Sequence, residues 1–382
     1  MRLNGMKSER IAAIVGVAES DLGYTPGKNV LSLQAQAAKR ALDDAGLTKD
    51  DVDAIYTTGS WAAFPQLMLA EYLGIKPKYS GGTNIGGSSF ESHVAHAAVA
   101  IQAGLIDVAL ITYGSTLKSN KTFPMSSLTQ TYEDPFGLPT PIGHYALAAK
   151  KHMHQYGTTS EQLAEVAVAT RKWACLNEKA TMREPITIED VLRSPMIAEP
   201  LHLLDCCLMS DGGGAVVVAS KNVVGSTKKK PIWVLGHGEK QTHNSVAFME
   251  DLTVTGAKES GRQAMEMAGV THDEIDIVQV YDSFTITVIL TLESLGFCKP
   301  GEGGAFVSGQ RTAPGGPFPL NTSGGGLSYL HPGMFGIFLI IEAVRQLRGE
   351  CNSRQVENAE IALVNGTGGT LASTSTLILG RD

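Results

Sequence analysis

Four phrases of the chain carry side chains able to move protons or hold a negatively charged oxygen. Ser323-Gly-Gly-Gly-Leu-Ser-Tyr329-Leu-His331-Pro-Gly333 places a phenol and an imidazole in a turn after a run of glycines, where backbone can approach a ligand closely. Tyr281-Asp282-Ser-Phe284 sets a second phenol beside a carboxyl, Asn84-Ile-Gly-Gly87-Ser88-Ser89-Phe90 offers two hydroxyls, and Asn365-Gly-Thr-Gly368-Gly369 is a glycine-rich turn. A phenol has an ordinary pKa of about 10, so Tyr281 and Tyr329 can serve as acids unaided. Service as a base at neutral pH requires neighbours to offset about 4 kcal/mol. Sulfur offers less. The cysteines, Cys175, Cys206, Cys207, Cys298 and Cys351, are odd in number and form no CxxC pair, so neither a disulfide framework nor a zinc site is indicated and a reducing compartment fits. Cys206 and Cys207 precede a strand and read as core.

These phrases must be held by a sizeable core. The chain has 382 residues, 43% hydrophobic and 18% charged, with 42 glycines, the profile of a folded, glycine-rich α/β protein of two or three compact units. A net charge of −7 and a lone basic run, Lys228-Lys229-Lys230, without interleaved aromatics argue against nucleic acid as a partner; the run reads as a solvated linker. The charged N-terminus, Met1 to Arg10, is followed by no apolar signal segment, and the stretch at Ile337–Ile341 is far shorter than the ~20 residues of a membrane span, so a cytoplasmic protein is expected.

The chain repeats itself. Ala41-Leu-Asp-Asp-Ala-Gly-Leu-Thr-Lys-Asp-Asp-Val-Asp53 matches Ala264-Met-Glu-Met-Ala-Gly-Val-Thr-His-Asp-Glu-Ile-Asp276, each a helix end, a glycine stop, a threonine turn and the entry to a strand, at 54–56 and 277–281. Ala70-Glu-Tyr-Leu-Gly-Ile-Lys-Pro77 then parallels Leu292-Glu-Ser-Leu-Gly-Phe-Cys-Lys-Pro300 apart from one inserted residue. More loosely, a helix at 94–103 and strand at 107–112 correspond to a helix at 336–347 and strand at 359–364. Two βα halves follow, at about 1–225 and 231–382, with sheets covered by helices. A loop insertion at about 115–205 has no counterpart in the second half. In it, 141–156 and 160–177 read as helices, the second opening on a capping pattern of Thr159, Ser160 and Glu161. Insertions of this size on a compact α/β body commonly serve as lids or binding loops.

Two halves of this kind, the insertion, the Ser323–Gly333 and Asn365–Gly369 phrases, Lys151–Thr158, Leu203–Leu208 and Ser210–Ala215 together resemble the thiolase superfamily over nearly the whole chain. The similarity is nearest to the branch around the thiolase part of sterol carrier protein, which includes bacterial lipid-transfer-protein aldolases of steroid side-chain degradation. It implies a duplicated α/β thiolase fold, layered α-β-α-β-α. Thiolases carry a nucleophilic cysteine at the N-terminus of a buried helix, where the helix dipole favours the thiolate. Here that position falls on Gly87. The second family cysteine falls at or beside Asn365, so both thiols are missing, whereas the family histidine matches His331 and the Asn-Glu or His-Asp position matches Tyr281-Asp282.

The resemblance therefore implies an acyl-coenzyme A enzyme without an acyl-cysteine. The reading followed here is a lyase that cleaves a β-hydroxyacyl-CoA by retro-aldol chemistry, with Tyr281, Tyr329 and His331 catalytic and Gly87, Ser88, Asp282, Asn365 and Gly368 lining the substrate. His331 is assigned the enolate or thioester oxygen, and Ser88 and Ser89 line the space beside Gly87. Alternatives are an unconventional thiolase or acyltransferase on a β-ketoacyl-CoA with direct attack by coenzyme A, an acyl-serine mechanism at Ser88 or Ser89, and a non-catalytic acyl-CoA or lipid binder. His144, in the insertion, is a further candidate for substrate contact. No covalently bound cofactor is expected, the coenzyme A thioester being substrate. A homodimer and a small zinc-ribbon and OB-fold subunit are the implied partners, with any metal in that subunit.

Overall fold

The computed structural model describes residues 10–59, 62–120, 133–138 and 141–381; residues 1–9 of the charged N-terminus lie outside them. The first half runs β1 (Ala12–Glu19), α1 (Val30–Ala45), β2 (Ala54–Thr57), α2 (Pro65–Leu73), β3 (Tyr79–Gly81), α3 (Ser89–Gln102) and β4 (Val108–Ser115). The insertion contributes α4 (Leu117–Asn120), α5 (Ile142–Tyr156), α6 (Ser160–Cys175), α7 (Ile188–Arg193) and the hairpin β5 (Met196–Ala198) and β6 (Leu201–His202), before β7 (Gly212–Ser220) and α8 (Lys221–Val224) close the half. The second half runs β8 (Ile232–Gln241), α9 (Ala257–Ala268), β9 (Ile277–Val280), α10 (Thr285–Leu295), α11 (Gly303–Val307), α12 (Gly336–Arg348), β10 (Ile361–Gly368) and β11 (Ser373–Gly380).

Nine strands join in one mixed sheet of order β3-β2-β4-β7-β1-β8-β11-β10-β9. The halves meet where β1 and β8 pair antiparallel, Ala13 opposite Trp233 and Ile14 opposite Ile232. Helices α3 and α12 occupy equivalent places, pack on each other and touch strands of both halves, so they form the middle layer. Accordingly α12 is buried on most sides, and α3 buries its first six residues, Ser89 to Val94, as a helix covered by strands of both halves must. Helix α1 covers β1, β4 and β7 on one outer face, and α9 covers β8 and β11 on the other. Among the described residues no helix is long and apolar enough to cross a membrane.

The repeat extends to single hydrogen bonds. Helices α1 and α9 both stop at a left-handed glycine, Gly46 with φ 73° and Gly269 with φ 68°, a conformation without penalty only for glycine. The following turns close with the same reciprocal cap, Thr48 with Asp51 and Thr271 with Glu274. Asp53 then accepts the N–H groups of Asp107 and Val108, and Asp276 those of Glu360 and Ile361, tying equivalent strands together. Two expectations are corrected. The cap of α6 is Thr159 with Gln162, three residues on, because N3 is the position whose side chain reaches back to the cap. The run Lys228–Lys230 is not simply solvated: Lys229 pairs with Glu350 at 2.6 Å and lies 3.7 Å from Asp44, so the linker is pinned between the halves.

Candidate active site

Position 87 shows what has replaced a side chain at the entrance of α3. A Cβ built on Gly87 would stand 2.0 Å from Tyr281 Cε2 and 2.6 Å from the Thr367 carbonyl oxygen, so the Tyr281 ring fills the volume a side chain here would need. The backbone itself is interlocked. A Cβ on Gly368 would stand 1.6 Å from the Ile85 carbonyl oxygen, and one on Gly86 would stand 2.6 Å from Gly368 Cα, so two glycine-rich segments from different halves meet back to back. Ser88 and Ser89 close the turn before the helix. The Ser88 hydroxyl bonds the Ile85 carbonyl at 2.8 Å and Ser373 Oγ at 3.0 Å, and Ser89 Oγ accepts the Ile85 N–H at 3.1 Å. Neither bonds a histidine or carboxylate, so the arrangement that would make one a nucleophile is missing among the described residues.

The Tyr281 hydroxyl lies 2.8 Å from His331 Nε2 and accepts the Phe335 N–H at 3.1 Å, which leaves its own proton to point at the imidazole. Tyr281 directly follows β9, and its N–H donates to the Asn365 carbonyl of β10 at 3.0 Å, so the ring starts from a fixed sheet position. Burial raises the Tyr281 phenol well above its ordinary range, and neighbouring Cys207, Tyr113 and Tyr145 push the same way. Burial lowers the His331 imidazole to about 4. At neutral pH the pair is a protonated phenol facing a neutral imidazole, a donor and an acceptor without net charge.

His331 is held from both halves. It follows a π-helical turn, Gly325–Tyr329, and exchanges hydrogen bonds with Ser210 at the approach to β7, its N–H on Ser210 Oγ at 3.0 Å and its carbonyl accepting the Ser210 N–H at 3.2 Å. Asp282 holds the start of this turn, accepting the N–H groups of Gly326 at 2.6 Å and Leu327 at 3.2 Å. Burial raises the Asp282 carboxyl to about 7, against the lowering pull of those amides. The insertion clamps the other side. Thr181 and Met182 donate main-chain N–H groups to the carbonyls of Tyr329 and Ser328, and Arg171 Nε donates to Ser328 Oγ at 2.8 Å. Another part of it, α5, sits on the glycine-rich turn, where His144 Nδ1 lies 3.2 Å from Thr370 Oγ1 and His144 Nε2 is buried without a partner.

The structure thus brings Tyr281, His331, Gly87 and Gly368 together and sends three other expected residues elsewhere. Tyr329 bonds neither Tyr281 nor His331; its hydroxyl donates to Glu19 Oε1 at 3.0 Å, in a buried network with Arg345 and Lys179. The turn carries successive residues to different sides, so Tyr329 points away as His331 points in. Asp282 is spent on the backbone of the turn, and Asn365 donates to Thr376 Oγ1 at 2.8 Å inside the sheet, its Oδ1 buried and unpartnered. Phe335 is not singled out by the sequence, and Ser210 only as the start of a phrase, with no role. Phe335 acts through its main-chain N–H, which leaves no signature in a sequence. The thiol of Cys207 lies near enough to Tyr281 and Tyr145 for their charges to interact, and burial, reinforced by Asp282, keeps it protonated.

A glycine-flanked helix entrance, a histidine turn and two fused βα halves define a class of enzymes that work on acyl thioesters. Residues 12–222 match the model of the thiolase N-terminal domain and residues 238–381 that of the thiolase C-terminal domain-like family, and the chain belongs to the thiolase superfamily. It is 35% identical to the 17-hydroxy-3-oxo-4-pregnene-20-carboxyl-CoA lyase of Mycobacterium tuberculosis, covering 97% of this chain and 99% of that one. It is 32% identical to an acetyl-CoA acetyltransferase of Methanothermobacter thermautotrophicus, covering 95% of this chain and 98% of that one. The solved structure of the Ltp2-ChsH2(DUF35) aldolase superposes with a TM-score of 0.91 at 32% identity, covering 98% of this chain and 99% of the other.

Proposed function

We propose that this enzyme cleaves the Cα–Cβ bond of a β-hydroxyacyl-CoA by a retro-aldol reaction without an acyl-enzyme. The observation that carries the reading is the Tyr281 ring standing in the place of a side chain at position 87, with its hydroxyl on His331 Nε2. Tyr281 passes its proton to His331 as it takes the proton of the substrate hydroxyl, in one relay that leaves no free phenolate, the form its burial disfavours. The Cα–Cβ electron pair becomes that of a thioester enolate as the carbonyl product forms. Backbone N–H groups at the start of α3 favour the charge on the thioester oxygen. The proton held by His331 returns through Tyr281 to Cα, so one proton is taken and one returned and no free coenzyme A is consumed. His331 thus serves as proton acceptor, a change from the oxyanion role read from its turn, because its imidazole is neutral and faces a phenol. Tyr329 and Asp282 act by positioning the turn.

Resemblance to the pregnene-carboxyl-CoA lyase supports a steroid side-chain thioester as the acyl group. Resemblance to an acetyltransferase supports a second reading, thiolytic attack of coenzyme A on a β-ketoacyl-CoA. Partners follow from the neighbours and the surface: a small DUF35-type subunit, as in the aldolase complex, and a second copy of this chain. What supports pairing of the copy at β3 is that this strand ends the sheet beside the exposed Phe64, Leu67, Met68, Tyr72 and Tyr79. Five unpaired cysteines suit a cytoplasmic setting.

The test is incubation with a panel of β-hydroxy and β-keto acyl-CoAs, with and without free coenzyme A, products read by mass spectrometry. Release of an aldehyde or ketone and a shortened acyl-CoA without free coenzyme A, abolished in Tyr281→Phe and His331→Ala, supports the lyase. Strict dependence on free coenzyme A overturns it in favour of thiolysis, and saturable acyl-CoA binding without turnover leaves a binder.

A further inference from the structure

Glu91 is a fully buried carboxyl that the site as described does not use. It stands in the first turn of α3, four residues after Gly87, and neither of its carboxyl oxygens has a hydrogen-bond partner. Two glycines make its room. A Cβ on Gly336 would stand 2.6 Å from Glu91 Oε2 and 2.0 Å from the Gly87 carbonyl oxygen, and one on Gly366 would stand 2.2 Å from Oε2 and 2.8 Å from Ser88 Cα. The carboxyl and the Gly87 carbonyl therefore flank the same spot. Gly336 directly follows Phe335, whose N–H donates to the Tyr281 hydroxyl at 3.1 Å. Glu91 thus occupies the junction of α3, α12 and β10 behind the seat of Tyr281.

No charge compensates it. Strands β10 and β11 carry no titratable side chain, and neither does β7. Of the other elements packed on α3, β1 brings Glu19, already paired with Arg345 and Lys179, and β2 and β4 bring the buried phenols Tyr56 and Tyr113. Strand β8 brings His237 toward His96, and α12 brings Glu342, paired with Arg354. On α3 itself, His93 is kept neutral by burial and accepts the Thr83 N–H. Burial raises Glu91 to about 8. A buried carboxylate without donors is costly, whereas the protonated acid has an O–H to give and a carbonyl before it.

We propose that Glu91 is a positioning residue of the reaction proposed above, holding the entrance of α3 against Tyr281 in its neutral form and disabling the site when it ionises. A negative charge behind Gly87, in an interior that screens poorly, opposes the enolate the reaction must carry. Losing the proton also takes away the donor that the carboxyl can offer a neighbour.

The proposal rests on the lyase reading, and two measurements separate their failures. The first is the pH dependence of kcat for wild type and Glu91→Gln with a β-hydroxyacyl-CoA. Wild type is expected to lose turnover as pH rises through about 8, and Glu91→Gln, which keeps shape and a donor without titrating, to hold its activity there. The titration of Asp282 is common to both proteins and cancels in the comparison. Superimposable profiles overturn the proposal, and so does a folded Glu91→Gln protein inactive at every pH. The second is the melting temperature of both proteins from pH 5 to pH 9, which requires no turnover. Because the folded group titrates higher than in the unfolded chain, wild type should lose stability relative to Glu91→Gln from about pH 4.5 up through about pH 8. A constant difference overturns the proposal even if the lyase reading itself has failed. Should Glu91→Gln not fold, Glu91→Met, apolar, non-titrating and of similar length, replaces it in the melting measurement, which decides the proposal alone.

Discussion

Gly87 and Tyr281 are one feature written at two positions, since a ring 2.0 Å from where a Cβ would stand excludes every side chain but hydrogen. Restoring sulfur by Gly87→Cys should therefore yield no thiolase. Overpacking typically costs 1–3 kcal/mol, so Gly87→Cys and Gly87→Ala are each expected to lower stability by about 2 kcal/mol and to remove lyase activity by displacing the phenol. Pairing Gly87→Cys with Tyr281→Ala should recover only the part of the stability that the ring costs, measured by thermal unfolding, since the Thr367 carbonyl oxygen still stands 2.6 Å from the new Cβ; a Gly87→Cys protein as stable and active as wild type would show that the ring does not hold this volume. A second expectation concerns Cys207, the thiol buried near Tyr281. It is held protonated, so Cys207→Ala should keep kcat within roughly twofold of wild type, while a loss of roughly 1000-fold would mean that a sulfur nucleophile acts after all. The glycine at position 87 and the imidazole at His331 come from the resemblance to thiolases, which matches those positions to the family's cysteine and histidine. Which phenol meets His331 was not legible in the sequence, because residues two apart in an irregular turn point to different sides and only the π-helical winding decides which.

The elements around His331 behave as one clamp, with Asp282 from the end of β9 on one side and the insertion, through Arg171, Thr181 and Met182, on the other. The sequence suggests a lid or binding loop for the long insertion, whereas its described residues fasten the turn that carries His331. Sequence pattern missed this because most of the fastening is by main-chain groups, whose bonds carry no residue signature. The same logic explains what was legible: helix stops at Gly46 and Gly269, and strands entered at Asp53 and Asp276, depend on side-chain caps that repeat letter class by letter class. Two hydrogen bonds from buried amides to a carboxyl set the size of the Asp282 effect. Asp282→Ala leaves both N–H groups unpartnered, which should cost about 2–4 kcal/mol of stability and, by shifting His331, roughly 100-fold in kcat. Asp282→Asn keeps one accepting oxygen and should fall between. An Asp282→Ala enzyme with unchanged kcat would detach the turn from the chemistry.

Across the whole molecule the halves share one buried apolar core and several main-chain bonds, and side-chain ion pairs add to these. Arg348 and Lys229 reach Asp44, Lys229 also holds Glu350, and Arg345 on α12 grips Glu19 at the end of β1, with Oε2 2.6 Å from Nη2. The last pair is buried, joins the halves and receives the Tyr329 hydroxyl, so it carries the fold more than the chemistry. Burial alone would raise the Glu19 carboxyl, but the charges and hydrogen bonds of Arg345 and Lys179 outweigh it and hold the carboxyl far below its ordinary 4.5. The stability it contributes is therefore present above about pH 4.5, where the unfolded chain is also ionised, and is lost as the pH falls through and below that value. Removing the cation strands the carboxylate. Arg345→Met should cost about 3–5 kcal/mol at neutral pH, the range for breaking one side of a buried ion pair, and should leave a protein whose stability changes less on acidification than that of wild type. Glu19→Gln with Arg345→Met, which removes both charges, should recover much of that loss. Denaturant unfolding of wild type, Arg345→Met, Glu19→Gln and the double variant at pH 7 and pH 4 completes the cycle; if Arg345→Met unfolds at the wild-type midpoint at both, the Glu19–Arg345 pair does not hold the halves together.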